Sequence, residues 1–200
     1  MKIIGIAGPS GTGKSTIARH LEGRGGVAVD ADRVGHRLLE QDTGVIEAVR
    51  REVGEDVFDE GGCIDRKRLG ARVFADAETL RRYNAIIHPA IRRRCGERVA
   101  QARSDGTAFV VIDAALLLDS QMPFGFDLMI ALTAPEDQRF ERLVARGERS
   151  PGEVRARLAS QPEIEKSFYK ADVVVDTGRD LDEVLADIDR LVDRLMNDRT

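Results

Sequence analysis

Gly8-x-x-x-x-Gly13-Lys14-Ser15 is the stretch of this sequence whose residue types and spacing most directly imply chemistry. Glycines let backbone N–H groups converge on an anion without a Cβ in the way, and a following helix would add positive potential at its amino terminus. A lysine at position 14 can reach the β and γ phosphates of a nucleotide, and the Ser15 hydroxyl can ligate Mg²⁺. The apolar run VAVD at 27–30 ends in the carboxylate Asp30, and a second, Asp32, follows it. One of them can accept a proton from an attacking hydroxyl. The competing reading makes both of them turn or N-cap residues of a helix beginning near Arg33. Asp113, which ends FVVID, can serve the metal directly or through water, or can be a strand-end hydrogen-bond acceptor. Arg139, Arg142, Arg146, Arg149, Arg155 and Arg157 crowd one later segment, where a guanidinium could neutralise a transferring phosphoryl group. His88, before Pro89, is either structural or placed to touch a phosphorylated substrate.

These groups need a frame that brings them to one edge. KIIGIAG reads as a buried strand, and residues 15–21 as a helix that Gly23, Gly25 and Gly26 stop. Further apolar strands are expected at 27–30, 109–113, 127–134 and 171–176. Strands separated by helical segments predict a parallel α/β sheet of five strands with helices on both faces, and functional groups gather at the carboxyl ends of such strands. Gly8, Asp32, Asp113 and Thr133 would then share that edge. The expected core comprises about 1–32, 105–134 and 171–200. Residues 33–104 are too long for a crossover and read as an inserted helical lobe, with a turn at DEGG, 59–62, and Pro89 as a start or kink in its longest helix. Residues 135–170 read as a helical, arginine-rich lid, and 181–196 as a closing amphipathic helix.

Composition narrows the class. Two hundred residues, 42% of them hydrophobic, are enough to bury one core and a smaller lobe, so one compact soluble domain is expected. FVVIDAALLL is about half the length a membrane span needs. A net charge of −4 argues against a general nucleic-acid surface, so phosphate binding must be local. Cys63 and Cys95 form neither a disulfide framework nor a zinc site. A cleavable leader would remove the glycine loop, so the expectation is a cytosolic protein, and a monomer. A GTP switch would need an NKxD-type tetrapeptide, and none occurs. A motor ATPase would need a second acid after FVVID, where alanines stand. A small-molecule kinase asks for what is here.

The segments IIGIAGPSGTGKSTIARHL, VAVDADRVGHRLL, NAIIHPAIRRR, VVIDAALLLDS and RLVARGERSPGEVRARLASQPEIEKSFYKADVVVDTG, in this order, resemble dephospho-CoA kinases over nearly the whole chain. The resemblance implies a P-loop kinase core with an inserted substrate lobe and a lid, ATP and Mg²⁺ as cofactors, and phosphorylation of the ribose 3′-hydroxyl of dephospho-CoA. It implies Asp32 as the base, and Gly8, Gly11, Thr12, Gly13, Lys14, Ser15 and Thr16, with Thr177, as the ATP site. Catalytic help would come from Lys14 and from Arg142 or Arg146, metal binding from Ser15 and Asp113, and acceptor binding from Asp32, His88, Pro89 and Leu116. The chain departs from the family pattern at Ala7, commonly threonine; at Gly8-Pro9, commonly two glycines; at 115–119, commonly PLLFE-like; and at Thr177-Gly178, commonly Asn-x-Gly. Two other readings stay open on the residues: a nucleoside or nucleotide kinase of the same fold, and a nucleotide-binding regulatory module without transfer.

Overall fold

The computed structural model describes residues 1–147, 150–159, 161 and 164–198. Its five strands are Lys2–Ala7 (β1), Val27–Asp30 (β2), Phe109–Asp113 (β3), Leu128–Thr133 (β4) and Val173–Asp176 (β5). They form one sheet in the order β2-β3-β1-β4-β5, with every pairing parallel. The inner strands β1 and β3 are apolar nearly throughout because both faces are covered by helices. Edge strand β5 alternates instead, with Val175 buried and Val174 exposed. The five strands read from sequence are therefore all present.

The helices are Lys14–Gly23 (α1), Ala31–Gln41 (α2), Thr43–Glu52 (α3), Arg66–Ala75 (α4), Ala77–Ser104 (α5), Glu136–Ala145 (α6), Pro151–Ala159 (α7) and Leu181–Asn197 (α8). The Asp180 carboxylate caps α8 by accepting from the N–H groups of Asp182 and Glu183, and Val184, Ile188 and Val192, spaced by four, face the sheet. There they pack with Ile17 and Leu21 of α1 and with Ile4, Ile6, Ile130 and Leu132 of the sheet. Each side chain so enclosed stabilises the fold by ~1.5–3 kcal/mol relative to exposure.

The chain divides into two compact units, Met1–Asp30 with Arg98–Thr200, and Ala31–Glu97. The second has its own core, in which Val45 and Val49 of α3, Leu69 and Val73 of α4 and Ile87 of α5 are buried together. Carboxylates start three of its helices: Asp42 accepts from Val45 N at 3.0 Å, Asp65 from Lys67 N at 2.8 Å, and Asp76 from Thr79 N at 2.8 Å. The turn expected at 59–62 is a small hairpin closed by a Phe58–Ile64 antiparallel bridge, with Asp59 Oδ1 accepting from Gly61 N and Cys63 N. Pro89 neither starts nor ends a helix but lies inside α5. There it removes one rung of the hydrogen-bond ladder while the packed neighbours Ile87 and Ala90 hold the helix together. The helix expected near Arg33 begins at Ala31, directly after β2.

Candidate active site

Residues 8–13 link β1 to α1, and three glycines make the link possible. Gly8, Gly11 and Gly13 have φ of 146°, 87° and 88°. At Gly8 a Cβ would lie 2.5 Å from the Leu132 carbonyl oxygen, and at Gly11 one would lie 2.7 Å from that of Arg139. Only glycine fits both positions. The carbonyls of the loop are held in turn. Pro9 O accepts from Thr12 Oγ1 at 2.9 Å and from Lys14 Nζ at 3.4 Å, and Gly13 O from Thr16 N at 2.9 Å. Gly11 O accepts from Arg142 at 3.4 Å, and Thr12 O from Thr177 Oγ1 at 2.9 Å. Peptide units fixed in this way at the start of α1 are pre-organised for an anion, next to the positive end of the helix.

Asp113 closes β3 in register with Ile6 of β1 and Asp30 of β2, and is 4% exposed. Ser15, in the first turn of α1, donates to Asp113 Oδ2 at 3.4 Å. The structure thus joins the two residues expected to serve a metal. Both offer oxygen, the donor a hard cation takes. No group of three His, Cys, Asp or Glu side chains with metal-binding geometry occurs among the described residues. Mg²⁺ bound to a nucleotide needs no such cage, since phosphates and water complete its shell.

Asp32 is exposed in the first turn of α2, two residues beyond the Asp30–Asp113 pair of neighbouring strand ends. It belongs to the unit Ala31–Glu97, as do His88 and Pro89 on α5. His88 reaches solvent, yet crowding by the protein, and secondly the Arg92 guanidinium, hold its imidazole below the usual histidine range. Leu116, just before a 3₁₀ turn over Leu117–Asp119, is 59% exposed. Asp119 in that turn accepts from Ser167 Oγ at 2.6 Å and from Lys170 Nζ at 2.5 Å. Lys170 chiefly, and Ser167, hold the Asp119 carboxyl below the usual carboxylate range.

The arginines separate into different situations. Arg142 on α6 donates to Thr177 O at 2.7 Å, to Gln138 Oε1 at 3.3 Å, and to Thr177 Oγ1 and Gly11 O at 3.4 Å. Arg146, at the end of α6, is exposed. Arg139 is 9% exposed, with Glu136 3.8 Å from its guanidinium. Arg155 lies over the Phe140 ring at 5.1 Å, and Arg157 donates to Ser10 Oγ at 2.7 Å. Arg149 lies outside the described residues. Thr177 is buried, and its hydroxyl shares one proton between the carbonyls of Thr12 and Thr133, 2.9 and 3.0 Å away. Ser10 and Gln161 were missed by the sequence reading, because nothing local marks a contact between residues 151 positions apart.

A family model described as dephospho-CoA kinase matches residues 2–183. The dephospho-CoA kinase of Anaeromyxobacter dehalogenans (strain 2CP-C) is 36% identical over 199 residues, covering 100% of this chain and 94% of that protein. That of Leifsonia xyli subsp. xyli (strain CTCB07) is 38% identical over 192 residues, covering 96% and 97%. The crystal structure of TT1252 from Thermus thermophilus superposes with a TM-score of 0.80 at 29% identity, covering 97% of each chain. A phosphate loop set in a five-stranded parallel sheet, with kinship along the whole chain, leads to one assignment: this protein belongs to the dephospho-CoA kinase family.

Proposed function

We propose that this protein transfers the γ-phosphate of ATP to the ribose 3′-hydroxyl of dephospho-CoA, giving coenzyme A and ADP, the last step of coenzyme A synthesis. The observation that carries the reading is the complete phosphate loop whose Ser15 meets the buried carboxylate of Asp113 at the end of the neighbouring strand. Full-length similarity to dephospho-CoA kinases supports the choice of acceptor. The protein is taken as a cytosolic monomer. None of the described helices is long and apolar enough to cross a membrane.

In this reading Gly8 and residues 11–16 cradle the phosphates, and Lys14 neutralises the charge that builds up on them. Ser15 and Asp113 would hold Mg²⁺, which would supply positive charge to neutralise the phosphates. Asp32 accepts the proton of the 3′-hydroxyl as its oxygen bonds to the γ-phosphorus and the bond to the ADP oxygen breaks. The sequence left Arg142 and Arg146 as alternatives for the lid cation. Arg142 is committed to the carbonyls of Gly11 and Thr177, so it supports the loop and the nucleotide end of the site. Exposed Arg146 is assigned the transferring phosphate. His88, Pro89 and Leu116 receive the acceptor. With its pKa lowered, His88 meets the acceptor as a neutral hydrogen-bonding group at pH 7.

A coupled assay with purified protein, ATP, Mg²⁺ and dephospho-CoA tests this, with adenosine, AMP and uridine as comparison acceptors. Dephospho-CoA alone should be converted, and Asp32→Asn should lower kcat by about 100-fold or more while ATP binding persists. Phosphorylation of a nucleoside instead, or full turnover by Asp32→Asn, would overturn the assignment.

A further inference from the structure

Ser10 stands inside the phosphate loop, yet its N–H and its hydroxyl are both engaged from outside it. Its N–H donates to Gln161 Oε1 at 3.0 Å, and its hydroxyl accepts from Arg157 Nε at 2.7 Å. It is 7% exposed. Arg157 lies in the last turn of α7, and Gln161 follows that helix by two residues. The next loop residue, Gly11, lies against the backbone of Arg139 in α6 and gives its carbonyl to Arg142. Consecutive loop residues are thus held by consecutive helices.

We propose that Arg157 and Gln161 are positioning residues for ATP: they fix Ser10, and through it the peptide units of the loop that meet the phosphates. The proposal rests on the ATP-binding reading above. Pro9 is locked at φ by its ring and Gly11 has no side chain, so Ser10 is the point at which the orientation of the following peptides can be set by a side chain. A guanidinium donor at 2.7 Å is a charge-assisted hydrogen bond, and on a buried hydroxyl it is stronger than a neutral one. Backbone N–H groups bind an anion well only when their directions are already set. Docking of α7 therefore tunes nucleotide affinity without Arg157 touching the nucleotide.

A double-mutant cycle tests this. ATP binding to the wild-type protein is measured first by calorimetry; its absence would remove the ATP reading and this proposal together. Ser10→Ala and Arg157→Met should each raise the Kd and KM for ATP about tenfold, the scale of one lost charge-assisted hydrogen bond. The double variant should be no worse than either single one, because both remove the same link. The KM for dephospho-CoA and kcat at saturating ATP should hold, the signature of lost uniform binding of ATP. Gln161→Leu should weaken ATP while Gln161→Glu, which keeps an acceptor for the Ser10 N–H, retains it; circular dichroism checks that each variant is folded. Losses that multiply in the double variant, an unchanged ATP affinity in folded variants, or equal losses for both substrates would overturn the proposal.

Discussion

Gly11 meets two demands at once, a left-handed backbone and the close approach of α6. Its φ of 87° strains any other residue, and a Cβ there would also fall 2.7 Å from Arg139 O and 2.8 Å from Arg139 Cβ. Gly11→Ala is expected to cost ~1–3 kcal/mol of stability and to move α6 off the loop. A thermal melt and an ATP titration check it: Tm and ATP affinity should fall together, and a variant as stable and as tight-binding as wild type would refute the packing argument. At this scale the sequence was legible wherever the chemistry needs a particular residue type at a fixed local spacing, as in Gly8 to Ser15 and the carboxylate of Asp113. It was silent wherever a side chain turns away from the site to hold something else. Ser10, held by Arg157, is of that kind.

Elements were more legible than their junctions. FVVID and LMIALT announce buried strands because an inner parallel strand must be apolar on both faces. Pro89, read as a start or kink of its helix, lies inside α5, where one hydrogen bond is lost and the neighbours Ile87 and Ala90 are buried in a core. The junction after β3 shows what a departure from the family pattern does in this chain. Asp119, in the place of a longer acid, takes donors from Ser167 and Lys170 in the 3₁₀ stretch Ile164–Lys170 and so ties the turn bearing Leu116 to the segment before β5. Because those donors lower its pKa, its contribution to stability is present above the ordinary aspartate value near ~3.9 and is lost as pH falls below it. Asp119→Asn should lower Tm slightly at pH 7, the pair being solvent-exposed, and the gap should close toward pH 3. Melts at the two pH values decide it; a gap independent of pH would mean that the ion pair contributes nothing.

At the scale of the whole molecule, the two thiols report on folding from one unit. Cys63 is exposed, whereas Cys95 is 0% exposed, and both belong to Ala31–Glu97. A thiol reagent should label Cys63 rapidly and Cys95 only on unfolding, so that native protein shows one fast thiol and denatured protein two. Two fast thiols in native protein would mean that this unit opens readily. The division of the chain also has a consequence for its birth on the ribosome. The residues of Ala31–Glu97 are contiguous, but those around the phosphate loop are not: Ile3 of β1 pairs with Val110, and Ile4 with Leu128. At ordinary rates of synthesis, β1 waits on the order of 10 s for its first neighbour. The loop is thus translated well before it can be shaped, since α6 and α7, which grip Ser10 and Gly11, emerge later still. ATP can chaperone the finished molecule, but it has nothing to grasp on the nascent one until β4 and those helices have left the tunnel.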